Sequence, residues 1–455
     1  MGTPDKRHIV VGGVSRKSFI LGSLAASGGV LNAGLSRRKG FVEPLKTLPL
    51  QEDADLIVAG GGPAGVSAAI TAARMGKRVR LFEAHGSLGG LWTVGMISCV
   101  NDFGRGDLTK EITRRLEARG ARHERFAKAR DDWYVYEPEY MKLVLEDLCA
   151  EAGVKFAYHT SVVAAYRDAS GRNIETVVTE SKAGRRAWRA PLFMDCTGDG
   201  DLAAFAGCGF DLGGGNGNGD QPASLIGIVH AEDDAAIAPY CVNHPGPGPA
   251  AFAKGAKGAL YRELVAAGVE PSFAHPTLFR MQSGLYAFMA NHEYGVKVDD
   301  PDGITAATVR ARKELDALVT ALVRRDPKTW RGLRLVVTAD QLGHRAARRI
   351  HGRYTLTIDD LMVGRQFEDA VSSCALQLDV HGVTREDNRV PGGHTAGRKI
   401  KVPYQIPLGA CRAKEVDNLY MAGRCISGDF LSQASYRVTG PAVEMAEGVV
   451  RRIFG

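Results

Sequence analysis

A chain of 455 residues, 45% hydrophobic and 24% charged, has material for two domains or one large α/β body. It contains no run of about 18 or more uninterrupted apolar residues, so no membrane span is expected. The net charge of +7 is mild for this length. Basic residues are dense only at Arg37–Lys39 and Arg345–Arg353, without interleaved aromatics, which excludes nucleic acid as an expected partner.

Residues 1–52 read as an export leader followed by a linker. The stretch "SRKSFILGSLAASGGVLNAG" has a basic start, a diluted apolar middle and small residues at its end. Its Arg16-Lys17 pair stands where a twin-arginine signal has two arginines, and cleavage would fall near Ala33. The expected location is therefore periplasmic or exported, with the cytoplasm as the alternative.

The body opens with "DLIVAGGG", a buried strand, then a helix after Pro63 and a second strand over Arg78–Ala84, a βαβ start. Helices follow in "DLTKEITRRLEARGA" and "EPEYMKLVLEDLCAEAG". The segment from Val154 to Ser181 reads as a β-meander with a turn at "ASGRN". "LFMDCTGDGD" is a strand entering a glycine turn. Phe210–Pro222 and "HPGPGPAAFAKGAKGA" read as loose stretches. Thr305–Asp326 has helical spacing, strands return near Leu335, and a last helix starts near Gly440-Pro441.

Eight cysteines, at Cys99, Cys149, Cys196, Cys208, Cys241, Cys374, Cys411 and Cys425, form no CxxC pair and no metal-ligand spacing. They are expected to be reduced and mostly buried. Asp199-Gly200-Asp201 is a plain turn signature rather than a calcium site, and no metal is expected.

Three motifs carry chemistry. The first is Gly60-Gly61-Gly62-Pro63-Ala64-Gly65, which fits GxGxxG between a strand and a helix. Gly60 permits the tight turn, Gly62 lets backbone approach a pyrophosphate, and Gly65 lets helix and strand pack closely. The helix N-terminus offers amides and a positive dipole end to phosphates. Glu83, followed by Ala84, would accept a ribose hydroxyl, which argues against a 2′-phosphate. Gly89-Gly90-Leu91 adds a second glycine pair just after the acid, which a long flavin cofactor needs and a simple NAD site does not. The expected cofactor is therefore FAD. Val162, in the meander, joins the cofactor-binding set.

The second motif, "FMDCTGDGDLAAFAG", is similar to the "ATG" turn of two-dinucleotide-fold flavoproteins, with Cys196 for alanine. In those flavoproteins the turn passes the adenosine end of FAD, and the resemblance implies the same for Thr197, Gly198 and Asp199. The third, "NLYMAGRCISGDFLSQASYRVTGPAVEMAEG", ends a strand at Gly423-Arg424 and starts a helix at Gly440. Such a helix directs its N-terminus at the pyrimidine edge of a flavin. Only one GxGxxG occurs, so a dedicated NAD(P)H domain is not expected. No CxxxxC follows the cradle, which weighs against a disulfide reductase.

From Ala54 to the C-terminus the chain resembles the FAD-dependent oxidoreductases of the heterodisulfide-reductase-like and xanthan-lyase-associated group. Besides the three motifs, the resemblance rests on "TADQLGHRAARRIHGRYTLTIDDL", "LDVHG" and "VPYQIPLGAC". It implies an α/β fold: a Rossmann-like FAD-binding domain with a three-layer parallel sheet and a β-meander, plus an inserted α+β substrate domain. The expected boundaries are 53–209 and 335–455 for the FAD-binding parts and 210–334 for the insert. The chain departs from the group's "GxRExRR" segment at Gly343–Arg349, and Glu444 and Glu447 intrude in the last helix. Those acids are expected on its solvated face.

Oxidation of a C–H bond by a flavin needs a base and polar groups that fix the substrate. Candidate bases are His344, His381 and His292. Arg345, Arg348 and Arg437 could clamp an anionic or polyhydroxylated substrate, one of them being otherwise tied to Asp359, Asp360 or Asp369. Tyr404 and Tyr436 could line the flavin face. The expected function is an FAD-dependent oxidase or dehydrogenase acting on a small polar, sugar-derived substrate. The electron acceptor could be oxygen, a quinone or a protein. The alternatives are an FAD monooxygenase, whose usual Gly-Asp pair is Gly423-Arg424 here, and a flavin electron-transfer subunit with a partner protein.

Overall fold

The computed structural model describes residues 43–101, 103–104, 106–121, 133–214, 219–242, 254–282, 284–389 and 398–455. The leader-like stretch of residues 15–34 lies outside them. A short N-terminal unit, Met1–Thr47, contributes only residues 43–47 to the description, where Lys46 pairs with Glu43. The body runs from Leu48 to Gly455.

At the centre of the body is a five-stranded, wholly parallel sheet. Its order is Leu419–Met421, Leu192–Asp195, Leu56–Ala59, Val79–Phe82, Lys155–Ala157. Leu56–Ala59 is central and every residue in it is buried, as a parallel strand covered on both faces requires. Helix Pro63–Arg74 makes the crossover to the second strand. Its alanines let helices Pro138–Ala152 and Thr439–Phe454 pack closely against it, and Ser67 Oγ donates to Val443 O at 2.8 Å. A meander of Ser161–Arg167, Ile174–Ser181 and Gly184–Trp188 forms the other layer, with the Trp188 ring 4.8 Å from that of Phe82. The fold is thus α/β in three layers, a Rossmann-like arrangement.

Two segments depart from expectation here. Lys155–Ala157, expected in the meander, joins the parallel sheet instead. Gly153 ends the preceding helix in the left-handed conformation and turns the chain into a crossover. Leu50–Gln51, expected in the linker, pair in parallel with Ala187–Trp188.

Between residues 227 and 338 a four-stranded antiparallel sheet runs in the order Thr277–Arg280, Leu285–Met289, Gly227–His230, Arg334–Thr338. In three of its strands, Thr277–Arg280, Leu285–Met289 and Gly227–His230, neighbouring residues face opposite ways, while the edge strand Arg334–Thr338 pairs through a register shift at Ile228/Val229. Val229, Leu278, Tyr286 and Phe288 pack with Leu260 and Leu264 of helix Lys254–Ala266 and with Leu315 and Leu318 of helix Pro301–Arg325. Ile228, Phe279 and Ala287 form a separate cluster on the opposite face with Ile226 and Val135. Helix Lys254–Ala266 falls where the composition read as loose. Two glycines dilute its start, and Leu260 and Leu264, four apart, give it one buried stripe. Helix Pro301–Arg325 begins before the expected Thr305, because the Asp300 side chain accepts from Gly303 N and Pro301 suits the first position.

Glu447 also departs from expectation. It is buried, not solvated, and its carboxylate takes a hydrogen bond from the backbone of Leu108, in the first turn of helix Asp107–Ala118. There an acid meets a positive helix end. Burial raises its pKa despite Arg451 nearby. All eight cysteines are free thiols, seven of them buried.

Candidate active site

The first strand ends in a cradle. Gly60 has φ +91°, and a Cβ there would lie 2.6 Å from Cys196 O, so the turn and the close approach of the neighbouring strand both demand glycine. Gly65 packs directly beneath, against Gly60 O. Gly62 faces open space: a Cβ there would meet no protein atom within 4 Å. That space is a cleft of about 270 Å³ lined by Gly60, Gly62, Pro63, Ala64, Glu83, Ala84, Gly90, Leu91, Val162, Thr197, Gly198, Asp199, Gly423 and Arg424. Fourteen residues expected to hold the cofactor therefore meet on one cleft. Gly89 sits just behind, its N–H donating to Gly61 O. Gly440 is buried in the first turn of the last helix, whose Thr439 and Ala442 reach the cleft.

Glu83 is buried, and its two carboxylate oxygens accept from Gly61 N at 2.6 Å and His85 N at 2.8 Å. A carboxylate has about four acceptor sites, so it retains capacity for ribose hydroxyls. The amides of the first turn of helix Pro63–Arg74 have no side-chain cap. A cleft with free helix-end amides, a close-approach glycine and an acid at its far end fits the ADP half of FAD.

Asp195, absent from the sequence reading, builds the second turn. It is wholly buried, and accepts from Thr197 N, Thr197 Oγ1 and Ala203 N. Burial raises its pKa against these bonds. The flanking carboxylates each take an arginine: Asp199 pairs with Arg424 and Asp201 with Arg348. Burial and the neighbouring acids raise Asp201 to about 6. Arg424 also donates to Gly198 O and His344 O, and so ties three distant segments together.

Beyond Arg424 the cleft continues into a second cavity of about 460 Å³. Leu91, Arg424, Arg437 and Thr439 line both. Thr439 opens the 16-residue closing helix and is held by Trp92 Nε1 at 2.8 Å, so that helix N-terminus stands at the junction. One wall of the second cavity is apolar: Ile226, Phe279, Ala287 and Met289, the inward face of the inserted sheet. The other is polar, with His344, Arg345, His381, Asp379, Arg437 and, from the helix of the insert, Lys257.

Of the eight candidate residues, four, His344, His381, Arg345 and Arg437, thus share one cavity. Tyr404 does not. It is fully buried with its hydroxyl bonded to Ser435 Oγ at 2.8 Å, a core position that reaches neither cavity. Tyr436 is likewise buried, donating to Ile426 O. Nor do the arginines take the expected acids: the partner of Arg437 is Asp379, 3.1 Å away, and that of Arg348 is Asp201.

Burial lowers both His344 and His381 to about 4, so both are neutral at pH 7. Arg345 adds to the effect at His381. Asp379 lies 3.5 Å from His381 Nε2. Burial alone would raise the Asp379 carboxyl, but His381, Arg437 and Arg345 together hold it well below the usual range. Its side chain is 51% exposed, and that exposure is to the cavity it lines. His292 lies just behind, its ring 4.9 Å from that of His381 and its Nε2 buried without a partner among the described residues. Lys257 had no sequence signal beyond its type, whereas Asp379 stands inside "LDVHG". The aspartate stands two residues before His381, a spacing that could have drawn attention.

A model of the FAD dependent oxidoreductase family matches residues 55–450. The chain belongs to that family. As an FAD-dependent oxidoreductase it is an enzyme, and FAD is its cofactor. A stretch of 64 residues is 39% identical to the tRNA uridine 5-carboxymethylaminomethyl modification enzyme MnmG of Helicobacter pylori (strain Shi470). It covers 13% of this chain and 10% of that protein. Similar solved structures include a geranylgeranyl bacteriochlorophyll reductase-like protein of Thermoplasma acidophilum, with 12% identity over 88% of this chain and 77% of that one, TM-score 0.43. Another is the flavin-dependent brominase Bmp2, with 12% identity over 89% and 80%, TM-score 0.44. A third is the p-nitrophenol 4-monooxygenase PnpA of Pseudomonas putida DLL-E4, with 14% identity over 67% and 71%, TM-score 0.40. Among the described residues no helix is long and apolar enough to cross a membrane.

Proposed function

We propose that this FAD-dependent oxidoreductase is an oxidase or dehydrogenase that removes a hydride from a small organic substrate held in the second cavity. The observation that carries the reading is the junction. The cleft that fits the cofactor opens, past Arg424 and the closing-helix N-terminus, directly onto a cavity with a neutral histidine beside a carboxylate. When bound, FAD supplies the two-electron acceptor. The chain's residues supply the rest. With the Nε2–H of His381 directed at Asp379, Nδ1 is left to take the substrate proton, and Asp379 stabilises the resulting cation. Arg437, anchored on Asp379 O and Oδ2, fixes that carboxylate. Within the family we assign the chain to the heterodisulfide-reductase-like and xanthan-lyase-associated group. Support comes from the segment around His344, "TADQLGHRAARRIHGRYTLTIDDL", and from "LDVHG".

The test is anaerobic. The purified protein is expected to be yellow, and one member of a panel of sugars, hydroxy acids and amines to bleach it. Hydrogen peroxide release in air identifies an oxidase, while bleaching by NADPH alone overturns the reading in favour of a monooxygenase. His381→Gln is expected to keep its FAD and lose about 10²- to 10⁴-fold in bleaching rate. An unchanged rate removes His381 from the base role.

A further inference from the structure

The charges around the second cavity do not cancel. Four cations line it, Lys257, Arg345, Arg424 and Arg437, with one carboxylate, Asp379. Arg424 is satisfied by Asp199, which lines the first cleft, and Arg437 by Asp379. His344 and His381, both depressed by burial to about 4, add no charge at pH 7. Arg345 and Lys257 are left over. Arg345 donates only to neutral groups, Pro222 O at 2.7 Å and Ser224 Oγ at 2.9 Å, and neither cation has an ion-pair partner among the described residues. Both are partly buried, and the one carboxylate that acts on both, Asp379, is already paired with Arg437; a cation held out of water without its own counter-charge is costly.

Their placement separates them from the cofactor. Arg424 and Arg437 line both cavities, whereas Arg345 and Lys257 line the second alone. Lys257 comes from a helix of the insert. The insert adds the apolar side chains Ile226, Phe279, Ala287 and Met289, against only a few neutral polar groups, Ser98, Asn101, Thr277 and Gln377.

We infer that Arg345 and Lys257 form the carboxylate subsite of this cavity, and that the substrate is an organic acid with an apolar body rather than a neutral sugar. The inference rests on the reading that the second cavity holds the substrate. Arg345 takes the carboxylate through the part of its guanidinium not committed to Pro222 and Ser224, and Lys257 neutralises it from the insert side. The apolar body lies against the inserted sheet.

Benzoate, benzyl alcohol, benzylamine and glucose serve as probes, titrated into the FAD-loaded protein while the flavin absorbance is followed. Benzoate is expected to perturb the spectrum with a Kd at least about tenfold below that of benzyl alcohol, and benzylamine and glucose to be silent. Lys257→Gln and Arg345→Gln, each checked for FAD content, should each weaken benzoate about 10- to 100-fold and leave the flavin reduction potential in place. If one variant fails to load FAD, the other decides. Equal affinity for benzoate and benzyl alcohol, no response to benzoate, or unchanged benzoate binding in a loaded variant overturns the inference. So does a shifted potential without weakened binding, which would assign the cations to the flavin. Outcomes of the two proposals remain separable. A donor that bleaches wild type and both variants with the same half-saturation sinks the carboxylate subsite and leaves the oxidoreductase reading intact. Benzoate binding with the expected variant losses, but bleaching by NADPH alone, does the reverse.

Discussion

The two cavities are built from different materials. The cofactor cleft is made of backbone: a left-handed glycine, uncapped helix amides, and turns whose side chains serve mainly to hold the main chain in place. The second cavity is made of side chains that converge from an inserted helix, an inserted sheet and several separate stretches of the chain. Main chain can do only a few things, so it suits a ligand that is the same throughout a family. Side chains can be exchanged one at a time without altering the path of the chain, which suits a ligand that differs from member to member.

The sharpest way to break that contrast is Gly60→Ala. The left-handed φ and the contact with Cys196 O together predict destabilisation by more than about 3 kcal/mol and loss of FAD. A denaturant melt with the flavin spectrum checks both, and a stable yellow variant would show that the cradle tolerates a side chain after all. Glu83→Ala, which strands the amides of Gly61 and His85, should cost about 1–3 kcal/mol and weaken FAD in a binding titration. The second cavity should respond to pH instead. His344 and His381 titrate near 4 in the fold against about 6.5 unfolded. Between those values the unfolded chain binds protons that the fold does not. Stability is therefore full above about pH 6.5 and falls as pH drops towards 4, by at most about 1.4 kcal/mol per pH unit for each histidine. His381→Asn should flatten the slope of Tm against pH, and an unaltered slope would mean that this imidazole is not held neutral. Smallest is Tyr404→Phe, which removes one buried hydrogen bond for about 1 kcal/mol and should leave both FAD content and benzoate affinity as in wild type.

The same contrast explains what could be read from the sequence. Gly60, Gly62, Glu83 and Gly423 were legible because a tight turn or a strand end imposes its demand on adjacent residues. The parallel sheet was legible for the same reason, through its uninterrupted apolar strands. Tyr404 misled because an aromatic beside a family motif reads alike whether it faces a ligand or fills the core. Only the packing of Ser435 beneath it decides. Lys257 and Asp379 are far apart in the chain and meet only after the insert folds back, so no local spacing could pair them. Helix Lys254–Ala266 was missed because its stabilising contacts, Leu260 and Leu264 on the inserted sheet, are tertiary. The buried Glu447 likewise depends on the helix at Asp107 to receive it.

The alternation in the inserted sheet has a consequence for how such an enzyme can diverge. Two of its strands, Thr277–Arg280 and Leu285–Met289, each write two texts in one line. Leu278, Tyr286 and Phe288 spell the attachment to the helices, while Phe279, Ala287 and Met289, interleaved with them, spell the surface shown to the second cavity. Changes to the second text need not disturb the first. Specificity can drift at every other position while the body that carries it stays folded.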